Sequence, residues 1–396
     1  MTRFIKDQDF DDQLARTLSA AASGCADLGE ALATADRITP GDFDSWHQEW
    51  AQTAGQVRDE ADDSVDAGHL ASASQCYLRA SEYYRQAFYY ARADLDSPVL
   101  LDTWAAHRAS FLAALPALPY PAEPAEIPYL DTTLSGYLFR PGHGDEPRAT
   151  VIAPAGYDST AEAGYSFTAV DALRRGLNCL VFEGPGQGGV LYEQHLYFRP
   201  DFEAVLTPVV DWLMAQPGVD AGRLVLFGRS FAGHLAPRGA TGEHRIAALI
   251  CDPVQYDLAA AIRGRLGDDL WAQVEADDPA ADAALDGLLA DPRLGNFYRS
   301  RMVTHGTTTM GGYLRELARF SLVGLAGRID CPTLALEAEG DPVSPGQLET
   351  FADAVTAPVT THRFTAAEGA GGHCEGLGQR RLERVVYDWI ETVLPA

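Results

Sequence analysis

The chain has 396 residues, of which 56 are acidic and 30 are Lys or Arg, so its formal net charge is −26. Such a surface repels phosphate backbones, and we expect no nucleic-acid partner. Its six cysteines show no C-x-x-C spacing, and its start lacks the apolar run of a signal peptide. We therefore expect reduced thiols, a cytoplasmic location and no membrane contact. The chain also lacks metal-ligand spacings, phosphate-binding loops and dinucleotide fingerprints, so we expect no metal and no cofactor.

Residues 1–120 show apolar side chains at helical period and no strand-like alternation. We predict helices over about 13–35, 43–66 and 67–93, the last as one long helix or a helix pair. Four prolines within residues 116–124 then stop helices and favour extended chain. The pattern predicts an all-helical N-terminal domain over 1–120 and a second domain over 121–396.

From residue 126 the chain changes to short apolar runs separated by segments of helical length. An antiparallel pair over 126–130 and 133–140 is followed by predicted strands at 149–153, 178–182, 223–227, 246–251, from 331 and at 359–364. Strands that alternate with helices indicate a mostly parallel sheet. Between about 254 and 327 the alternation gives way to acidic helical segments. We predict an α/β domain with a helical insertion that serves as a lid.

The most informative motif is Gly-Arg-Ser-Phe-Ala-Gly at 228–233, between an apolar run and a helix-like segment. A serine flanked by small residues on a sharp strand-to-helix turn is a nucleophile elbow, usually written G-x-S-x-G. Here Ala232 takes the last position and Gly233 follows it. Ser230 is the predicted nucleophile, and its alternative interpretation is a helix N-cap.

A catalytic triad of this type needs an acid and then a histidine further along the chain. Asp341 lies in a turn after an apolar strand, and His373 lies in a glycine-rich loop after the last predicted strand. Asp252, which follows another strand, is the rival acid. Asp341 could also be only a turn residue, and His373 only a loop histidine.

An acyl-transfer site also needs donors for a developing oxyanion. We expect one from the backbone N–H of Phe231 and a second from Gly156 or Tyr157, in the loop over 154–160; the alternative for that loop is a plain turn. A charged acid there is unfavourable. We therefore expect Asp158 to contact a substrate hydroxyl or keto group, or to be held protonated. Its alternative role is helix capping, together with the next two residues.

Several short motifs occur in a characteristic order: Y-D-S-T at 157–160, E-G-P-G-Q-G at 183–188, G-x-S at 228–230, G-D at 340–341 and G-H-C-E at 372–375. Together they resemble the α/β-hydrolases grouped with the fermentation–respiration switch protein, which include 2,6-dihydroxypseudooxynicotine hydrolase and fungal heptaketide-shortening hydrolases. The resemblance implies an α/β-hydrolase fold, a Ser230–Asp341–His373 triad, and cleavage of a C–C bond beside a ketone, assisted by Asp158. It also implies a pocket under the N-terminal helices and a homodimer. Ala155 and Ala232 depart from the usual glycines.

We therefore predict a serine hydrolase-type enzyme that cleaves a C–C bond beside a ketone, or an ester, in an aromatic or polyketide-like small molecule. Asp158, Glu183 and Tyr83 are the predicted substrate-binding residues, although an aromatic stripe such as that around Tyr83 is also typical of a helical core. Three alternatives stay open. They are a lyase or cyclase in which His373 abstracts a C–H proton and an acyloxy group is eliminated, a simple carboxylesterase, and a non-catalytic binding protein.

Overall fold

The first part of the chain is helical, as predicted. The computed structural model describes residues 4–343 and 345–395, so the outer limits of the two predicted domains, at 1 and 396, lie outside the described residues. The helices of this part are α1 (Gln8–Ala20), α2 (Leu28–Ala35), α3 (Phe43–Asp66), α4 (Leu70–Phe88) and α5 (Pro98–Ala114).

The prediction of one helix over 13–35 is wrong, because the chain breaks between α1 and α2. Gly24 has a φ of 81°, in the left-handed region that glycine tolerates without steric cost. The carboxylate of Asp27 then accepts the backbone N–H groups of Gly29 at 2.8 Å and Glu30 at 3.1 Å. This N-cap starts α2 as a separate helix.

Eight strands form one sheet within the described part of the chain. They are β1 (Ala122–Tyr129), β2 (Thr132–Phe139), β3 (Arg148–Pro154), β4 (Asn178–Phe182), β5 (Val219–Arg229), β6 (Ala248–Asp252), β7 (Thr333–Ala338) and β8 (Val359–Phe364). Their order is β1-β2-β4-β3-β5-β6-β7-β8. The pairs β1–β2 and β2–β4 are antiparallel and the other pairs are parallel. The predicted mostly parallel sheet is confirmed.

Helices connect these strands and cover both faces of the sheet. Before the insertion they are α6 (Ala161–Gly164), α7 (Val170–Arg174), α8 (Gly188–Tyr192), α9 (Glu203–Met214) and α10 (Ala232–Ala240). The strands between them are buried on both sides. Val151 and Val225 pack into the core on one face of the sheet, whereas Ile152 and Leu226 pack into the core on the other. This two-sided burial explains the continuous apolar runs in the sequence.

Between β6 and β7 the chain leaves the sheet and forms the predicted helical insertion. Its helices are α11 (Ala260–Leu266), α12 (Asp268–Glu275), α13 (Pro279–Asp286), α14 (Pro292–Thr304) and α15 (Met310–Leu317). The insertion has a small apolar core of its own, which includes Trp271 and Met302. It also touches the N-terminal helices, since the Asn296 side chain donates to the Tyr90 carbonyl at 2.7 Å.

The last helices are α16 (Leu348–Ala354) and α17 (Gln379–Val393). Because β3 to β8 run parallel, the loops after their carboxyl ends meet along one edge of the sheet, where ligands bind in α/β proteins. The predicted site residues other than Tyr83 lie in or next to these loops. Within residues 4–343 and 345–395, none of the helices has the length and apolar character that crossing a bilayer requires.

Candidate active site

Ser230 occupies a strained turn between β5 and α10. Its φ is 56°, which is uncommon for a residue with a side chain and typical of functional turns. The backbone is fixed on both sides, because the Ser230 N–H donates to the Asp252 carbonyl at 2.7 Å and the Gln255 amide donates to the Ser230 carbonyl at 2.5 Å. A Cβ on Gly228 would lie 1.9 Å from the Ala232 carbonyl oxygen. The small residues of the motif are therefore required by the turn itself.

The structure brings Ser230, His373 and Asp341 into one hydrogen-bonded chain. Ser230 Oγ lies 2.8 Å from His373 Nε2, and His373 Nδ1 lies 2.9 Å from Asp341 Oδ2. Burial lowers the pKa of the His373 imidazole, but Cys374 and Asp341 beside it outweigh burial and raise this pKa well above its ordinary value. The side chain of His373 keeps 33% of its surface exposed, whereas Asp341 is almost fully buried. This arrangement can activate a serine hydroxyl and orient the imidazole that accepts its proton.

The rival acid, Asp252, has a different partner. Its carboxylate is fully buried and accepts a hydrogen bond from Arg229 Nε at 3.0 Å. Burial raises the pKa of Asp252, and the Arg229 charge acts against that rise. The neighbouring Glu375 is also fully buried, and burial together with the Asp252 charge raises its pKa well above the usual range. The structure thus pairs His373 with Asp341, whereas the partner of Asp252 is Arg229.

Arg229 joins the nucleophile turn to the histidine loop, and the sequence analysis missed this role. Besides Asp252, its guanidinium donates to the Phe167 carbonyl at 2.7 Å, to the Cys374 carbonyl at 3.3 Å and to Gln379 Oε1 at 3.0 Å. Cys374 follows His373 directly, so one buried cation fixes the loops of both partners. The sequence feature that could have indicated this role is a charged residue at the end of an apolar strand, directly before the nucleophile.

The predicted oxyanion loop lies against the nucleophile. A Cβ built on Gly156 would lie 3.3 Å from Ser230 Cβ and 3.7 Å from Ser230 Oγ. The Ala155 N–H donates to the Phe182 carbonyl at 2.9 Å and so completes the strand pairing before the loop turns away. The ring of Tyr157 packs at 4.6 Å from the ring of Phe231. The three predicted oxyanion residues, Gly156, Tyr157 and Phe231, therefore lie together beside Ser230.

Gln187 holds this loop in place and was not singled out from the sequence. Its buried side-chain amide donates to the carbonyls of Ala155 and, at 3.3 Å, Gly156. Its carbonyl accepts the Gly184 N–H at 2.6 Å. The side chain thus links the glycine-rich turn after β4 to the oxyanion loop. This contact gives the E-G-P-G-Q-G motif a structural reason.

Asp158 is ionised and paired, which corrects the expectation of a protonated acid. Its carboxylate lies 3.1 Å from Arg16 Nη1 and accepts a hydrogen bond from the Tyr89 hydroxyl at 2.9 Å. Burial raises the pKa of Asp158, but the guanidinium charges of Arg16, Arg92 and Arg301 outweigh burial and lower this pKa far below its usual range. The expected capping role belongs instead to Thr160, whose side chain accepts the Ala163 N–H at the start of α6.

Two predicted substrate contacts are wrong. Tyr83 is fully buried inside the N-terminal helices, where its hydroxyl donates to Glu30 at 2.7 Å and its ring lies 5.5 Å from that of Trp50. The core interpretation of this stripe therefore holds for Tyr83, whereas Tyr89 of the same stripe reaches Asp158.

Glu183 is the second correction, because it is buried and serves the backbone. Its carboxyl group accepts the N–H groups of Ala161 at 3.0 Å and Gly189 at 2.8 Å, and the Ser135 hydroxyl at 2.9 Å. Burial and the charge of Glu162 raise the pKa of Glu183 to about 8. The side chain therefore stabilises the starts of α6 and α8, where backbone donors lack helical partners.

An aromatic wall connects the insertion to the nucleophile turn. His305, just after α14, lies 5.6 Å from the ring of Tyr157 and 6.3 Å from that of Phe231. Both ring nitrogens of His305 are buried and have no hydrogen-bond partner among the described residues. Burial and the nearby Arg301 charge lower the pKa of His305 to about 3, so this imidazole is neutral. The sequence offered only a lone histidine here, which carries no signal.

The comparisons with known proteins indicate a family of hydrolases. The family described as "Esterase FrsA-like" matches residues 8–356. The hydrolase LUC6 of Fusarium sp is 32% identical over 339 residues, which cover 82% of this chain and 80% of that protein. The 20-hydroxy-prefusarin hydrolase FUS2 of Gibberella moniliformis is 30% identical over 342 residues, with coverage of 82% and 80%.

Solved structures share the fold. The crystal structure of 2,6-dihydroxy-pseudo-oxynicotine hydrolase superposes with a TM-score of 0.75 at 23% identity and covers 96% of each chain. The structure of AbyA5 gives a TM-score of 0.65 at 17% identity and covers 92% of this chain and 90% of its own. The protein is an enzyme with the α/β-hydrolase fold, as predicted, and the chain belongs to the FrsA-like esterase family.

Proposed function

We propose that the protein is a serine hydrolase that cleaves a C–C bond beside a ketone, or an ester, in an aromatic or polyketide-like metabolite. The observation that carries this proposal is the hydrogen-bonded chain from Ser230 through His373 to Asp341, with distances of 2.8 and 2.9 Å. The strained turn at Ser230 supports it, because strain of this kind persists where function requires the conformation.

In this proposal His373 accepts the Ser230 proton while Ser230 Oγ attacks the substrate carbonyl. The backbone N–H of Phe231 and those of the Gly156–Tyr157 loop stabilise the resulting oxyanion. His373 then donates its proton to the leaving group, which is an alcohol or the carbon of an enolate. Water, activated by the same imidazole, attacks the acyl-enzyme and releases the acid.

The aromatic or polyketide character of the substrate is proposed from two lines of support. The printed names of relatives and structural neighbours include a 20-hydroxy-prefusarin hydrolase and a 2,6-dihydroxy-pseudo-oxynicotine hydrolase. The rings of Tyr157, Phe198 and Phe231, which are mostly buried, also form an aromatic cluster next to Ser230, with centroids 4.6 to 5.1 Å apart. We further propose that the insertion, which supplies His305, covers the bound substrate as a lid.

The test is a fluorophosphonate probe, which reacts with an activated serine, applied to the wild-type protein and to Ser230→Ala. We expect labelling of the wild type, none of the variant, and a loss of hydrolysis of 4-nitrophenyl esters and β-diketones by several orders of magnitude. Ser159→Ala is the control, since this serine lies in the predicted oxyanion loop but belongs to no predicted triad. Absence of labelling in the folded wild type contradicts the proposal. Turnover that survives in Ser230→Ala favours an elimination or cyclisation in which His373 is the base.

A further inference from the structure

Three arginines lie around Asp158, in the loop that also carries the predicted oxyanion residues Gly156 and Tyr157. We name Arg16, Arg92 and Arg301 the arginine cluster. Arg16 comes from α1, Arg92 follows α4, and Arg301 belongs to α14 of the insertion. Arg16 and Arg92 lie 3.1 and 3.9 Å from the carboxylate of Asp158, and the charge of Arg301 also helps to lower the pKa of that carboxylate. Three arginines from segments that are far apart in the sequence thus lie around Asp158, although the net charge of the chain is −26.

Arg16 is the member that pairs directly with Asp158. Its Nη1 lies 3.1 Å from Asp158 Oδ1 and also donates to Gln13 at 3.1 Å. Its guanidinium carbon lies 5.8 Å from the centre of the Tyr89 ring. Its direct counter-charge is therefore Asp158, which the hydrogen bond from Tyr89 fixes, while the Glu82 carboxylate of α4 also acts on Arg16.

Arg92 is buried without such a pairing. Only 6% of its side chain is exposed, yet its Nη2 stays 3.9 Å from Asp158 Oδ2, which is too long for a hydrogen bond. Its Nε donates to the Tyr89 carbonyl at 2.8 Å, and its guanidinium carbon lies 4.3 Å above the Tyr89 ring. Burial of a cation is costly unless an anion meets it. Among the described residues, the N–H groups of Arg92 are therefore only in part matched by hydrogen-bond acceptors.

Arg301 approaches the same place from the insertion. The guanidinium donates to the Phe297 carbonyl at 3.0 Å, and its carbon lies 3.4 Å from the centre of the Phe297 ring and 5.3 Å from that of Tyr157. Its contacts are thus a carbonyl and aromatic faces. Asp9 of α1, an exposed residue, also lies within electrostatic reach of Arg301 and Arg92. Among the described residues the three guanidinium groups face Asp158 and Asp9, and Arg16 also faces Glu82, which already pairs with Arg85 at 2.7 Å.

We infer that the arginine cluster binds an anionic oxygen of the substrate, a carboxylate or an ionised enol, beside the carbonyl that Ser230 attacks. Arg92 and Arg301 supply the charge that an incoming anion balances, while Asp158 keeps Arg16 in place. Planar guanidinium groups suit both kinds of anion, because they donate paired hydrogen bonds to neighbouring oxygens. This inference rests on the proposed function and adds a substrate class, namely acidic metabolites.

The catalytic test compares two esters of similar length that differ in charge. The mono-4-nitrophenyl ester of glutaric acid carries a carboxylate, and 4-nitrophenyl pentanoate does not. We expect the wild type to prefer the acidic ester in kcat/KM, and Arg301→Gln to reduce that preference by about tenfold or more, the effect typical of a charged hydrogen bond. The neutral ester is the reference, so the readout is the ratio of the two kcat/KM values in each protein. Arg299→Gln is the matched control, since Arg299 is exposed on the same helix and should keep the preference.

A binding test keeps this inference separate from the catalytic proposal. Thermal unfolding of Ser230→Ala is measured with 3-phenylpropionate and with 3-phenylpropionamide, which differ in charge and hardly in shape. We expect the acid to raise the Tm, the amide to raise it less, and added salt or Arg301→Gln to reduce the difference. Equal stabilisation by acid and amide, including none by either, overturns the inference. If the wild type is not labelled by fluorophosphonate but the acid still stabilises it selectively, the proposed function fails and the anion site stands.

Discussion

Replacing Arg229 with methionine tests whether this buried cation holds the active site together. The guanidinium donates to Asp252, to the carbonyls of Phe167 and Cys374, and to Gln379, so its removal takes a donor from each of these acceptors; the Cys374 carbonyl keeps the Gln379 amide at 2.8 Å. The carboxylate of Asp252 is fully buried and loses its only ion-pair partner among the described residues. Removal of one partner from a buried ion pair costs about 3–5 kcal/mol.

The cost depends on pH in a defined direction. Burial already raises the pKa of Asp252 against the pull of Arg229, so in Arg229→Met this folded-state pKa rises further above the unfolded value. An acid whose pKa is raised by folding destabilises the folded state once pH exceeds its unfolded value. The stability deficit of the variant should therefore be small near pH 4 and grow as pH rises towards 8.

The assay is urea denaturation followed by tryptophan fluorescence at several pH values, together with kcat/KM for an ester substrate. Because Cys374 follows His373, loss of the Arg229–Cys374 contact should also lower kcat, by about tenfold to a hundredfold. The double variant Arg229→Met/Asp252→Asn is the control, since it removes both charges and should recover much of the stability at neutral pH. An Arg229→Met protein as stable as the wild type at pH 8, with unchanged kcat, would refute the reasoning.

Three further predictions concern the residues around the nucleophile. In the wild type, kcat/KM should rise with pH, and the midpoint of that rise should lie above pH 6.5. The reason is that the neutral imidazole of His373 is the base and its pKa is raised. Asp341→Asn should shift this midpoint to lower pH and reduce kcat by about 10⁴-fold. Gly156→Ala places a methyl group 3.3 Å from Ser230 Cβ and should lower kcat by about tenfold to a hundredfold in steady-state assays. Gln187→Leu leaves the Ala155 carbonyl and the Gly184 N–H without partners and should cost about 1–3 kcal/mol in denaturation experiments.

Each of these has a result that contradicts it. A wild-type midpoint below 6.5, or one unchanged by Asp341→Asn, means that His373 is not the titrating base. Gly142→Ala is the control for the glycine variant, since a Cβ at Gly142 meets no atom within 4 Å. If both glycine variants leave kcat unchanged, the loop does not contact the reacting carbonyl. Full stability of Gln187→Leu means that the loop does not depend on this side chain.

The sequence predicted the parts of the molecule whose signals are local. The strands over 178–182 and 359–364 and the helix over 43–66 match the observed bounds, because each is a short buried run or a strongly periodic segment between clear breaks. The triad of Ser230, Asp341 and His373 could be predicted from the sequence because each residue follows a strand of one parallel sheet. Parallel strands deliver such residues to a common edge, whatever their separation in sequence.

What the sequence could not predict depends on distant pairing. Tyr83 and Tyr89 lie on the same helix-like stripe, yet one packs inside the helices and the other meets Asp158. The ionised state of Asp158 depends on arginines from other segments, which no local pattern links to it. Glu183 was a polar residue in a family motif, and only its three backbone and side-chain donors identify it as structural.

The Asp158 ion pair also bears on any attempt to divide the protein. Arg16 and Arg92 come from the helices, whereas their counter-charge comes from the loop after β3, so a cut in the proline-rich segment would separate cations from anion. A fragment lacking the helices would present an acidic crevice where the intact enzyme has a balanced one. A chimera that takes its N-terminal helices from a relative would therefore also take that relative's charges. It would need arginines in the helices and a carboxylate in the loop after β3 that match each other.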